Sequence, residues 1–346
     1  MSLRRGVMAV TLVLRALGLG DLLTAVPALR ALRDARPGDR LVLAAPAALA
    51  PLAALTGAVD EVLPTPGLGA LRPNSVPRPV LAVNLHGRGP RSIADLLRTR
   101  PRSVVTHRHA AFPALDGPPW RDDVHEVRRW CDLLRHSGIA ADPARLELPP
   151  PPAAAPACPA PGAVVVHPGA ASRARRWPPG RFAAVARALA DQRTGPGARV
   201  VVTGSEAERP LATEVAARAG LGHAAVRAGG DLTHLAALVA GAALVVCGDT
   251  GVGHLATAFG TPSVLLFGPT PPARWGPPPD RPRHVALWAG EAGDPHAPRP
   301  DPGLLRLTVP EVTDAALTLL VGGVPCRRTA AGDRSPSESS ARATSG

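Results

Sequence analysis

The chain has 346 residues, with 39 basic side chains against 27 acidic ones, a formal net charge of +12. Every basic one is arginine; there is no lysine and no tyrosine, and only two isoleucines (Ile93, Ile139) and two asparagines (Asn74, Asn84). This is the coding bias of a very GC-rich genome, yet it still excludes a lysine-bearing P-loop, Schiff-base and pyridoxal-phosphate chemistry, and a Tyr-x-x-x-Lys dehydrogenase.

The length suggests two domains at ~100–200 residues each. Four cysteines (Cys131, Cys158, Cys247, Cys326) lie far apart with no C-x-x-C pair, so neither a structural zinc nor a disulfide framework is expected. They read as small buried or incidental thiols. Arg4 and Arg5 precede an apolar run that stops at Arg15, too short for a signal-peptide core. No stretch reaches ~18 uninterrupted apolar residues, so no membrane span is expected. A cytoplasmic setting is expected, extending to peripheral contact with the inner face of the membrane.

In chain order, residues 7–14 read as a buried strand and 21–35 as a helix with Leu22, Val26, Leu29 and Leu32 on one face. Pro27 should kink that helix or end its first turn. Further strands are expected at 40–45, 59–63, 80–85 and 103–106, and a helix at 123–137. Residues 149–162 hold seven prolines in fourteen positions, a semi-rigid spacer and the best domain boundary. Beyond it, strands are expected at 163–167, 199–203, 243–247 and 263–267. Helices are expected at 181–191, 207–219, 232–240, 251–259 and 309–321. Continuous apolar strands alternating with helices imply parallel sheets covered on both faces. Two such halves imply a cleft, with ligands outside the carboxyl ends of the strands.

Three motifs lie at such strand ends. The first runs through Arg15, Gly18, Gly20, Asp21 and Thr24. A dinucleotide fingerprint would need glycine at 18, 20 and 23, but position 23 is Leu23, and no acid ends the next strand. The glycines admit a tight turn and close approach of a ligand. Asp21 is either a plain helix cap or a base that removes a proton from a hydroxyl. The second, His167-Pro168-Gly169-Ala170 through Ser172, Arg173, Arg175, Arg176 and Trp177, combines small residues with three arginines. It suits a phosphate, the alternative being a solvated basic loop. The third, Asp249-Thr250-Gly251 with His254, carries a strand into a Gly-rich turn and a helix, whose free N–H groups form an anion site. A lone histidine is usually structural, but with Asp249, Thr250 and the glycines His254 reads as part of a diphosphate or sugar site.

Together these motifs resemble glycosyltransferase family 9, the heptosyltransferases of lipopolysaccharide core assembly. Gly20-Asp21 with Pro27, His167-Pro168-Gly169-Ala170 with Arg176-Trp177-Pro178, and Asp249-Thr250-Gly251-x-x-His254 with Phe267-Gly268-Pro269-Thr270 occur in order across residues 8–321. The resemblance implies an α/β GT-B fold: two Rossmann-like, doubly wound parallel-sheet domains facing a cleft. On that pattern, residues 1–148 form the acceptor-side domain, 149–162 the linker and 163–308 the nucleotide-sugar domain. Residues 309–321 form a helix packing back across the junction, and 322–346 a disordered tail.

The resemblance also implies an inverting, metal-independent transfer of heptose from a nucleotide-diphosphate donor, ADP-heptose-like, to a cell-envelope glycan or lipopolysaccharide-core-like acceptor. No other cofactor and no metal are expected; no Asp-x-Asp motif is present. By resemblance Asp21 is the general base, and Ser172, Arg175, Thr250, Gly251 and His254 hold the donor phosphates, joined by Asp249. Glu206 or Glu208 holds the donor ribose. Gly18, Gly20 and Thr24 line the acceptor-side loop. The family commonly has lysine where this chain has Arg175, which keeps the charge but changes point-charge contact to forked contact. Base and phosphate site fall on different domains, so Asp21 and His254 are expected to face each other across an open groove that closes in action. Alternatives are a GT-B enzyme for a natural-product or other glycan acceptor, or a non-catalytic nucleotide-sugar binder. Nucleic acid is not an expected partner: the arginine excess better suits the diphosphate donor and an anionic membrane or acceptor.

Overall fold

The computed structural model describes residues 8–152, 160–192 and 199–322. The first half is β1 (Val10–Leu14), α1 (Leu19–Ala35), β2 (Arg40–Ala45), α2 (Ala50–Leu55), β3 (Glu61–Pro64), β4 (Leu81–Asn84), α3 (Arg91–Arg98), β5 (Ser103–Val105) and α4 (Glu126–His136). The second begins with β6 (Val164–His167), α5 (Pro179–Asp191), β7 (Val200–Gly204), α6 (Arg209–Arg218), β8 (Val226–Ala228) and α7 (Leu232–Ala240). It continues through β9 (Leu244–Gly248), α8 (Gly251–Phe259), β10 (Ser263–Phe267), α9 (Pro272–Trp275), β11 (His284–Trp288), α10 (Pro302–Arg306) and α11 (Val309–Leu320).

Both sheets are parallel, in the orders β3-β2-β1-β4-β5 and β11-β10-β9-β6-β7-β8. In the first, Leu12 pairs with Val42 on one side and Ala82 on the other; in the second, Val246 pairs with Val166 and Val264. The strand order reverses between β1 and β4 and between β9 and β6. Those are the switch points where ligands of such sheets bind.

The period-two alternation of the central strands divides the core. Val10, Leu12 and Leu14 face one way, with Val42, Ala82 and Leu96. Leu244 and Val246 of β9 face the outer helices of the second half, with Phe182, Val215 and Val312. Val13, Val245 and Cys247 instead face a single cluster shared by the two halves, which also holds Leu22, Val26, Trp130, Val252 and Leu255. Helices α1 and α8 therefore pack directly on one another between the sheets. The halves are further joined by Leu148 N–H to the Ala258 carbonyl at 2.9 Å and by Arg281 to the Ala144 carbonyl (3.1 Å) and to Glu147 (2.8 Å).

Three expectations are corrected. Of the two effects expected of Pro27, ending the first turn of α1 is ruled out: the helix runs unbroken from Leu19 to Ala35. The proline and its neighbours Ala25, Val26, Ala28 and Leu29 are all buried, and that packing outweighs the missing N–H. The final helix does not pack back across the junction. It lies on α5, β9 and β10, with Val312 and Ala316 in the second half's own core. Its buried stripe is short, Val312 and Ala316, and meets its own half's core. Finally, the two halves do not leave an open groove between α1 and α8, whose first turns touch. The core of the proline-rich linker (153–159), the expected tail (323–346) and Cys158 and Cys326 lie outside the described residues. Cys131 and Cys247 are buried thiols, and burial pushes Cys131 up to about 12.

Candidate active site

Arg15 leaves the end of β1 and is almost fully buried, at 1% exposure. An uncompensated guanidinium there would be costly, and every side of it is engaged. Nε donates to the Asp21 carbonyl at 2.9 Å and one terminal nitrogen donates to the Leu85 carbonyl. The other terminal nitrogen, Nη2, faces Asp21 Oδ1 (3.2 Å), Thr24 Oγ1 (3.2 Å) and Glu126 Oε1 (3.0 Å). The guanidinium also lies over the Trp130 ring, 4.7 Å from its centroid.

Asp21 sits in the first turn of α1, where its Oδ2 accepts the Gly18 N–H at 3.2 Å. It is thus a cap as well as a candidate base. Its side chain retains 26% exposure, enough to meet a substrate. Burial raises its proton affinity above the usual carboxylate range. Arg15 opposes that, Glu126 adds to it, and the Gly18 N–H and Arg175 oppose it. Arg175 belongs to the other half, so the candidate base and the proposed phosphate ligand lie in one electrostatic field.

On that other side, Ser172 caps a 3-10 turn at Arg173–Arg175, its Oγ accepting the Ala174 N–H at 3.3 Å. Arg175 Nη1 donates to the Asp249 carbonyl at 3.3 Å and lies 3.6 Å from Asp249 Oδ2. Its Nε is buried without a hydrogen-bond partner, a donor that an oxyanion would satisfy. Arg173 points to solvent. Asp249 is buried, which raises its proton affinity against the pull of Arg175. Thr250 starts α8 in extended backbone, and its side chain makes no capping bond. The first N–H groups of α8 and the Thr250 hydroxyl are thus available to an anion. A cavity beside them is lined by Asp249, Thr250, Gly253, His254 and Trp275.

His254 lies edge-on to Trp275, with ring centroids 5.9 Å apart. Burial lowers its pKa to about 4, helped by His125, Arg175 and Arg15 and opposed by Glu126. At neutral pH it is an uncharged imidazole, able to donate one hydrogen bond but carrying no cation. Gly20 faces it: a Cβ there would stand 2.8 Å from His254 Cδ2, and one on Gly251 would stand 2.9 Å from the Leu19 side chain. Two glycines thus let the two helix starts meet.

The other expected residues are placed as follows. Gly18 supplies the N–H to Asp21. Thr24 is buried, accepting from Arg15 and donating to the Asp21 carbonyl at 3.0 Å, so it braces the turn that carries Asp21. Glu206 is exposed and forms a forked pair with Arg209 at 2.6 and 2.7 Å. Glu208 Oε2 accepts from the N–H and hydroxyl of Ser205, both at 2.9 Å. The Glu208 carboxylate lies against Gly169, where a Cβ would overlap it.

Sequence reasoning missed Glu126 and His125. Glu126 is buried at the start of α4, and its two oxygens accept from Arg15, Trp130 Nε1 (3.0 Å) and Arg129 Nε (3.1 Å). His125 Nδ1 accepts the Val127 N–H, so its Nε2–H donates across the junction to the Gly276 carbonyl at 3.0 Å. The one available signal was an acid with Arg129 and Trp130 three and four places on, the spacing of one helical face.

Solved structures share this two-sheet architecture over nearly the whole chain. A glycosyl transferase family 9 structure from Veillonella parvula aligns with a TM-score of 0.73 at 20% identity, covering 91% of this chain and 98% of that one. The ADP-heptose lipopolysaccharide heptosyltransferase II of E. coli aligns at 0.69 and 21% identity, covering 91% and 99%. The E. coli heptosyltransferase WaaC with ADP aligns at 0.64 and 20% identity, covering 88% and 98%. The fold is GT-B, that of a glycosyltransferase with one parallel sheet on each side of its site. Residues 116–300, more than half of the chain, match the family model Glycosyltransferase family 9 (heptosyltransferase). The chain belongs to that family. A 73-residue stretch is also 48% identical to lipopolysaccharide heptosyltransferase 1 of Pseudomonas aeruginosa; it spans 21% of this chain and 20% of that curated relative. Among the described residues no helix is long and apolar enough to cross a membrane.

Proposed function

We propose that the chain moves a heptose-type sugar from a nucleoside-diphosphate donor, ADP-linked, to a hydroxyl of a cell-envelope glycan, with inversion and without a metal. The observation that carries this reading is that the starts of α1 and α8, from opposite halves, meet: Gly20, next to Asp21, lies against the His254 ring, and Gly251 lies against Leu19. The acceptor O–H gives its proton to Asp21 while its oxygen bonds to the anomeric carbon from the face opposite the diphosphate. The anomeric C–O bond breaks, and the diphosphate leaves with the electron pair. Arg175, the first amides of α8 and the Thr250 hydroxyl meet that growing charge, and neutral His254 donates a hydrogen bond to it. Ser172 holds the turn that carries Arg175.

For the ribose, Glu208 is the better candidate. It stands beside the Gly169 loop with Oε1 uncommitted, whereas Glu206 is held by Arg209 in solvent. The arginine excess suits an anionic acceptor or membrane surface at the cytoplasmic face. The test is calorimetry with ADP, GDP and UDP, followed by turnover of ADP-heptose with lipopolysaccharide-core and other envelope glycans. ADP should bind tightest and ADP release should require an acceptor. Absence of nucleoside-diphosphate binding would overturn the reading.

A further inference from the structure

We infer that Glu126 is a positioning residue that keeps Asp21 a competent base by drawing Arg15 away from it. The inference rests on the reading of Asp21 as the base and adds to it how that base is tuned.

The geometry is a competition for one nitrogen. Arg15 Nη2 carries two hydrogens and faces three oxygens: Glu126 Oε1 at 3.0 Å, Asp21 Oδ1 at 3.2 Å and Thr24 Oγ1 at 3.2 Å. Glu126 is the nearest. An arginine held by Asp21 alone would depress its proton affinity, and a weaker base takes the acceptor proton less readily. Without any cation, burial would raise its proton affinity further still. Sharing the guanidinium between two carboxylates lies between those limits. The share is fixed from behind, since Glu126 Oε1 also accepts from Trp130 Nε1 and Oε2 from Arg129 Nε. Arg129 is itself anchored over the Trp120 ring, 3.9 Å from its centroid.

The arrangement also serves the catalytic cycle. When Asp21 takes the proton it becomes neutral, and Arg15 would be left as a buried, unpaired charge, which is costly. Glu126 remains as its counter-ion, so protonating the base strands no charge. The charged groups around Asp21 are Arg15 from the loop after β1, Glu126 from α4 and Arg175 from the turn after β6. The neutral imidazoles of His254 on α8 and His125 before α4 lie in the same field. Among the described residues, Glu126 is the one acid besides Asp21 in that set.

The test is a carboxyl titration by NMR on the full chain labelled with 13C-aspartate, the Asp21 signal assigned with Asp21→Asn. In Glu126→Gln the Asp21 midpoint should fall by about one pH unit. The acid limb of kcat/KM should move down with it, and kcat should fall while ADP affinity changes little. Glu126→Asp, which keeps the charge, should return the midpoint towards wild type. An unmoved or raised midpoint in Glu126→Gln, or the same fall in Glu126→Asp, overturns the inference. If Glu126→Gln fails to fold, Trp130→Phe takes its place. It removes a donor to Glu126 without changing charge, so Arg15 shifts towards Glu126 and the Asp21 midpoint should rise; a fall or no change overturns it. Full turnover in Asp21→Asn beside a normal Glu126→Gln shift would instead reject Asp21 as the base while leaving the electrostatic link intact.

Discussion

Asp21→Asn separates the helix-cap role of this residue from its proposed role as the base. As a cap, Asp21 accepts the Gly18 N–H at 3.2 Å, and asparagine offers the same carbonyl oxygen. As a counter-ion it holds Arg15, but Glu126, Thr24 and the carbonyls of Asp21 and Leu85 remain to that guanidinium. Burial already disfavours the ionised carboxylate, so a neutral isostere costs little. The stability change should therefore stay within ~1 kcal/mol, the net worth of one hydrogen bond, or a few degrees in Tm. Turnover should fall by about 10²–10⁴-fold, the range for loss of a general base. Arg175 and the start of α8 are untouched, so ADP affinity should persist. The measurements are kcat at saturating donor, calorimetric ADP affinity and a thermal melt. Near-wild-type kcat with the fold intact would reduce Asp21 to a helix cap and remove the base from the mechanism.

Arg175→Ala should weaken nucleoside-diphosphate binding by roughly 1.5–3 kcal/mol, while exposed Arg173→Ala should lose much less; equal small losses by calorimetry would make the turn a generic basic loop. Gly20→Ala puts a methyl 2.8 Å from the His254 ring and should lower stability by about 1–3 kcal/mol and depress turnover, whereas Gly38→Ala, with nothing within 4 Å, should be close to neutral. An unchanged melt for Gly20→Ala would mean the two helix starts are not in contact. His254 is held at about 4 in the fold against 6.5 unfolded, so its contribution is fully present above about pH 6.5 and is lost as pH falls towards 4. That loss amounts to about 2–3 kcal/mol, and His254→Gln should flatten the acid slope of denaturant stability by that amount; an identical slope in both proteins would refute the burial argument.

The central strands were legible because both of their faces are buried, so they read as unbroken apolar runs. The first sheet's edges, β3 and β5, were legible too, but β8 and β11, the edges of the second sheet, were not. Val226–Ala228 is three half-buried residues, and His284–Trp288 follows a proline-rich stretch that reads as loop. Helix α3 was missed because Arg91–Arg98 has eight residues, three of them charged. The site divides similarly. Asp21, Ser172, Arg175, Thr250 and His254 sit at strand ends with glycine-rich or arginine-rich signatures that the chain displays locally. Glu126 does not, because its meaning comes from Arg15, 111 residues away in sequence. The direction of α11 was unreadable for a related reason: its apolar stripe shows that it must pack, and only the competition between the two sheets decides where.

The motif glycines acquire a different meaning from the one that a phosphate-binding turn suggests. Gly20 and Gly251 have ordinary backbone angles, outside the left-handed region that would demand glycine. What excludes a side chain at each is the opposite half of the protein: the His254 ring at Gly20 and Leu19 at Gly251. The two residues let the starts of α1 and α8 approach, so that two helix N-termini, Arg15 and Arg175 converge on one region. Such a field favours a diphosphate and works against any carboxylate kept as a base. Asp21 keeps a raised proton affinity there because it is desolvated and because Glu126 takes part of Arg15. The proposed anion site and the proposed proton acceptor can then be adjacent without cancelling each other. Both depend on the same interdomain contact, and either glycine, once given a side chain, would open it.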